Sequence, residues 1–209
     1  MGVSPVTLDD LSSGYNIDWN ISTDSRFNAM MGFSETEVRE MFRYYQENDA
    51  LPGDIEAMIA EMKPWYDNYC FARMSLGDDR VFNCDMTLYY LRSQFDFHRS
   101  PEEMVDKNIR TDYSKLKMLA RIDHDSAHEG SRMSTIEEIA AKGEILVNLH
   151  TSFPAERVAD VDNFRSLLYY YGLLTMCGTR GDRLRMCIPN HCVREQYFGF
   201  LREYYPVSY

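Results

Sequence analysis

Apolar residues recur at helical spacing from Val38 to Ile122, and strand-like alternation begins only at Glu144. This change of period most constrains the fold, because it allows helices first and a small sheet second. Ser34 and Glu37 form a capping box, followed by Val38, Met41, Phe42 and Tyr45 up to Asn48. Leu51-Pro52-Gly53 breaks that helix. Asp54 caps a second one carrying Ile55, Met58, Ile59 and Met62, which Pro64 is expected to end. The two read as a helical hairpin. An aromatic turn follows, Trp65-Tyr66-Asp67-Asn68-Tyr69-Cys70-Phe71, then a polar Gly77-Asp78-Asp79 loop. Val81-Phe82-Asn83 leads into a helix from about Asp85 to Phe95, and a further helix after Asp112 carries Leu116, Leu119 and Ile122. The polar stretch from Asp123 to Ser131 reads as a loop and a boundary.

Beyond it, Ser134 and Glu137 start a short helix, and Glu144 to Leu149 alternates like a strand. Asp162 opens a helix through Leu167, Leu168 and Tyr171. Leu173 to Cys177 and Leu184 to Ile188 then flank a turn at Gly178 to Asp182, and a last amphipathic helix follows Pro189-Asn190. Helices feeding a two-stranded wing suggest a winged-helix-like unit. The expected fold class is mainly α with a small β component (α+β), in two parts, 1–122 helical and lid-like and 132–209 winged-helix-like. The opening residues 2–17, with Pro5, Asp9-Asp10 and Ser12-Ser13-Gly14, read as loop and turn that would follow a buried strand.

Composition narrows the function classes. A chain of 209 residues with 44% hydrophobic content can bury one sizeable core or two small ones, and it has no apolar run long enough to span a bilayer. It has no leader pattern, and Val6 stands where myristoylation needs Ser or Thr, so the expected location is cytoplasmic. Five scattered cysteines without Cys-x-x-Cys fit reduced thiols better than a disulfide framework. A net charge of -11 repels nucleic acid from the molecule as a whole. Locally, however, Arg180, Arg183, Arg185, Arg194 and Arg202 face only Asp182 and Glu195 between 179 and 202. Such a hairpin could reach phosphates, or its arginines could pair with acids of the first half. The fifteen Tyr and thirteen Met suit helical cores, with exposed partner surface as the alternative.

Catalytic motifs are scarce. No Lys follows a Gly, so no P-loop phosphate cradle forms, and the segment Gly2 to Val6 lacks the closing Gly of a nucleophile elbow. His124 and His128, four residues apart beside Asp123, Asp125 and Glu129, are weak metal candidates. Arg132 stands where a zincin motif begun at His128 needs its second His, so the solvated-loop reading is favoured. Cys177, Cys187, His191 and Cys192 match no zinc knuckle, and buried thiols are the simpler reading.

Several ordered motifs carry a resemblance: Gly2 to Leu11 with Gly14-Tyr15-Asn16-Ile17, Gly32-Phe33-Ser34-Glu35 with Glu37-Val38, Trp65 to Phe71, Val81-Phe82-Asn83, and Ile188-Pro189-Asn190. Over nearly its whole length the chain resembles the AAA-ATPase-like family of Bacteroidetes. The resemblance implies a P-loop ATPase domain before the Gly-Val-Ser-Pro segment, then a helical lid and winged-helix-like region, then a PD-(D/E)xK nuclease-like domain. Both phosphate-binding motifs are then expected upstream of Met1, and the nuclease groups beyond Tyr209. ATP and magnesium would be cofactors only with that P-loop domain present. The carried-over candidates are Ser4 and Thr7 as loop residues near the ATPase core, and Tyr66, Asp67 and Tyr69 in the aromatic turn. The family often has Gly where Asn68 stands and Arg where Cys70 stands; Asn tolerates the left-handed conformation, while Cys removes a cation.

The expectation is a non-catalytic lid and winged-helix-like portion of such a protein. It would bind the ATPase core or another protein, without resident cofactor or metal. The alternatives are a nucleic-acid-binding module using Arg180, Arg183, Arg185 and Arg194, and, less favoured, a metal-dependent enzyme at His124 and His128.

Overall fold

The computed structural model describes residues 5–7, 21–48, 50–78, 80–106, 116–117, 119, 129–158 and 160–205. The chain is mainly α with a small β component. The first region repeats one device, a short strand running directly into a capped helix. Strand β2 (Gly32–Ser34) leads into α1 (Glu35–Glu47), and β3 (Val81–Asn83) leads into α3 (Cys84–Phe97). The last residue of each strand caps its helix. Ser34 accepts from the Glu37 amide while the Glu37 carboxylate returns a bond to the Ser34 amide, and Asn83 accepts from the Met86 amide at 3.0 Å. The two strands pair antiparallel with Phe33 opposite Phe82. Gly32 is required there, because a Cβ would lie 2.6 Å from Val81 Cγ2 and 2.8 Å from the Phe82 carbonyl oxygen.

Between these units, α2 (Ile55–Tyr66) lies antiparallel to α1, and ion pairs from Arg39 to Glu35 and Glu56 and from Lys63 to Glu35 lace the two together. The expected hairpin of helices is present. Its apolar faces, with Val38 and Phe42 on α1 and Ile55, Met58, Ile59 and Met62 on α2, meet Phe82, Met86 and Tyr90 in one buried cluster.

The second region comprises α4 (Glu129–Lys142), β4 (Glu144–Val147), β5 (Phe153–Pro154), α5 (Val161–Tyr170), β6 (Thr175–Arg180), β7 (Arg183–Cys187) and α6 (His191–Tyr204). Strand β7 lies between β4 and β6, both antiparallel to it. Helix, strand, helix and hairpin, with the first strand closing onto the last, is a winged-helix-like arrangement whose middle helix is reduced to the single 3-10 turn Ala155–Arg157. Ile145, Val147, Met176, Leu184 and Met186 of the sheet pack with Ile136, Ile139, Phe164, Leu167, Val193 and Tyr197 in a second cluster. Leu116 and Leu119 join it, as do Tyr69, Cys70 and Val81 from the first region.

Four local expectations are corrected. Pro64 does not end α2, which continues to Tyr66; the Asp67 amide closes on the Lys63 carbonyl one position before the proline. Helix α4 starts at Glu129 rather than Ser134, so Gly130 and Ser131 are helical despite poor propensity. Asp160, not Asp162, precedes the first turn of α5. Val6–Thr7, read as loop, forms β1, parallel to β5 with Val6 opposite Phe153; no sequence period marks so short a strand.

Candidate functional site

Three segments far apart in sequence converge where the two clusters meet: the aromatic turn, the end of β3 and the Ile188-Pro189-Asn190 segment. The turn is held at nearly every residue. Tyr66 is fully buried at the end of α2 and its hydroxyl donates to the Met104 carbonyl at 2.7 Å. Asn68 has φ 84°, the left-handed conformation, and its side-chain amide donates to the Pro189 carbonyl at 2.8 Å. Asn190 returns a bond of 3.1 Å to the Asp67 carbonyl while its Oδ1 caps α6 through the Val193 amide. Tyr69 exchanges backbone bonds with Val81, and its hydroxyl lies with the side chains of Asn83 and Asn190. Burial pushes that phenol up to about 12.

The end of the turn locks onto the winged-helix-like sheet. The Cys70 amide donates to Thr175 Oγ1 at 2.7 Å, and the same hydroxyl donates to the Cys70 carbonyl at 3.1 Å. Asn28 Oδ1 accepts from the Phe71 and Ala72 amides, and the Tyr169 hydroxyl of α5 donates to the Phe71 carbonyl at 2.6 Å. Such bonds in a dry site cost a desolvation penalty if one partner is lost. Asp67 is the exception, since its buried Oδ1 has no hydrogen-bond partner among the described residues. Burial raises the Asp67 carboxyl above the ordinary carboxylate range.

The hairpin arginines do not act as one group. Arg180 and Arg183 face each other across the neck of the hairpin, exposed, on either side of Gly181-Asp182. Arg185 is engaged elsewhere: its Nε lies 3.2 Å from Glu144 of β4 and its guanidinium reaches Cys177. Arg194 is exposed on the first turn of α6, a different element.

Helix α5 occupies the position of a recognition helix, which in a groove-reading unit must present an open face. Here Asn163, Phe164, Ser166, Leu167, Leu168 and Tyr169 are buried, and Asp160 and Asp162 stand at its N-terminal end. That helix is spent on packing. Comparison of the chain with protein-family models, curated proteins and solved structures finds no match.

Thr7 pairs with Pro154 through β1, whereas Ser4, His124 and His128 lie outside the described residues. Among the described residues no group of three His, Cys, Asp or Glu side chains is placed to hold a metal ion. Cys177 and Cys187 come together across the hairpin, while Cys192 is buried in the other cluster. A groove of about 630 Å³ beside the end of α3 carries Arg92 and Arg99 against Asp96, Glu102, Glu103 and Asp106. Arg92 pairs with Asp96 and Arg99 with Glu102 along its wall, so charges of both signs line it. Among the described residues no helix is long and apolar enough to cross a membrane.

Sequence reading missed Asn28, Thr175 and Arg80, whose guanidinium donates to the Met176 carbonyl at 2.8 Å, as parts of the joint. Each is a single polar residue with no local pattern around it. Asn190 was read only as preceding the last helix; its capping bond and its bond to Asp67 were not read.

Proposed function

We propose that this chain is the lid and winged-helix-like portion of an AAA-ATPase-like protein and that it works by protein association rather than by catalysis or nucleic-acid readout. The observation that carries this reading is the burial of α5, which removes the face a winged helix uses in the major groove. The spatial convergence of four of the motifs behind the family resemblance supports it too, because β2–β3 pairing and the bonds at Asn68 and Asn190 tie together Gly32–Ser34, the aromatic turn, Val81–Asn83 and the Ile188-Pro189-Asn190 segment. Apolar side chains available to a protein partner remain on the helical region. Tyr44, Phe95 and Phe97 are exposed there, with Phe95 edge-on to Tyr45.

The test has two arms. Translation of the genomic DNA flanking this reading frame should show an in-frame P-loop upstream, and a frame without one counts against the family assignment. Titration of the purified chain with a labelled DNA duplex at low salt should show no saturable binding. Binding that weakens steeply with salt and is lost in the Arg180→Ala, Arg183→Ala double variant would overturn the association reading in favour of a nucleic-acid wing.

A further inference from the structure

The hairpin contains a pair of thiols that neither packing nor the proposed association uses. In β6 the register slips by one residue: Met176 faces Met186, Gly178 faces Arg185, and Cys177 is the extra residue of the bulge. The bulge turns its side chain toward β7, where the Cys177 thiol donates to the Arg185 carbonyl at 3.3 Å; Cys187, two residues further along β7 and on the same face as Arg185, is its neighbour. Both residues are half-buried, within reach of solvent yet fixed by the sheet.

The surroundings distinguish the two sulfurs. The Arg185 guanidinium lies beside Cys177 and is itself held by Glu144, which sits opposite Cys187 in the β4–β7 register. The neighbouring Cys187 thiol, together with this cation, draws the Cys177 thiol below the ordinary thiol range. The neighbouring Cys177 sulfur and burial push the Cys187 thiol the other way, although Arg80 lies near enough to oppose this. Two neighbouring thiols, one of them beside a cation that favours its ionisation, are the arrangement that two-step thiol oxidation needs.

We propose that Cys177 and Cys187 form a reversible redox dithiol, with a hydroperoxide as the oxidant and an intrachain disulfide stapling β6 to β7 as the product. The Cys177 thiolate attacks one peroxide oxygen, forming an S–O bond as the O–O bond breaks, and the departing hydroxide takes a proton to become water. The Cys187 sulfur then attacks the sulfenic sulfur, forming the S–S bond as the S–O bond breaks, and the second hydroxide leaves with the proton of Cys187. The two thiols supply two electrons, and hydrogen peroxide becomes two waters. The proposal does not depend on the association reading.

The experiment is stoichiometric hydrogen peroxide on the full chain, followed by thiol counting and peptide mass spectrometry. Of the five thiols, two should disappear and return with dithiothreitol. Tryptic peptides 166–180 and 186–194 should be joined, with fragmentation assigning the link to Cys187 rather than Cys192. Cys187→Ser should leave Cys177 as a sulfenic acid trapped by dimedone. Cys177→Ser should slow oxidation of Cys187 by about tenfold or more, since the activated nucleophile is gone. The proposal is overturned by oxidation that begins at Cys84, by links only between chains, or by no 177–187 link in the wild-type protein. The wild-type map decides even if a serine variant fails to fold.

Discussion

The helical first region and the winged-helix-like second region are built by different rules. In the first, each helix carries its own start signal and its partner is the next helix along. In the second, the decisive contacts join residues about a hundred positions apart, such as Thr175 with Cys70 and Tyr169 with Phe71. Local rules therefore describe the first region well, whereas the second is tied to the aromatic turn by contacts that no local rule records. Mutations should separate the two cases.

The largest effect is expected in the second cluster. Phe164 is fully buried in α5, and Phe164→Ala should lower stability by about 3–5 kcal/mol through lost burial and an unfilled cavity. Denaturant unfolding followed by circular dichroism would measure it. A loss below about 1 kcal/mol would mean that α5 is not the packed centre described here.

Thr175→Val keeps the shape of the side chain but strands the Cys70 amide and carbonyl, so a cost of about 1–3 kcal/mol is expected. Hydrogen exchange should locate the loosening in the turn rather than in α1. Loosening spread evenly over both regions would contradict the local role of this joint.

Asp67 gives a comparison in pH. Its folded-state value is raised by burial, so the buried charge destabilises the fold above that value, and stability is regained as pH falls through it. The carboxylates of the first region behave oppositely. The Glu35 carboxyl is lowered by bonds from Lys63 and Arg39, and that of Glu37 by bonds from the Ser34 amide and hydroxyl. Their contribution is present above the ordinary Glu value and is lost as pH falls through the depressed one. Asp67→Asn should therefore stabilise the protein at neutral pH by about 1 kcal/mol, with the gain over wild type fading in acid. Urea midpoints at pH 7 and pH 3.5 would show it, and a destabilised variant at neutral pH would mean that the Asp67 charge has a partner.

Ser34→Ala tests a purely local device. It removes a capping box at a partly exposed helix start, and about 0.5–2 kcal/mol is expected, confined to α1 in hydrogen exchange. An effect reaching β6 or β7 would show that the two regions are not built by the separate rules described above.

Legibility in the sequence follows the same division. The capping box at Ser34 and Glu37 and the cap at Asp54 each depend on residues within three positions, and each stands where it was read. The hairpin of β6 and β7 was readable from alternation around Gly181-Asp182, but its bulge was not, so the meeting of Cys177 with Cys187 was hidden. The start of α4 was misplaced because Gly130 and Ser131 have low propensity, which the burial of Arg132, Thr135, Ile136 and Ile139 on one face overrides. Among candidate residues, Tyr66, Asp67 and Tyr69 were identified as a group. That Asn28, Arg80 and Thr175 belong with them depends on approach in space.

By itself the sequence determined the fold class, most helix starts and the presence of a β-hairpin, because periodicity and capping are properties of neighbouring residues. Tertiary structure alone decided that α5 is buried, that the aromatic turn joins two apolar clusters, and that two cysteines ten positions apart meet. These depend on register and docking, where one inserted residue or one distant hydroxyl selects the partner, and no local pattern records that choice.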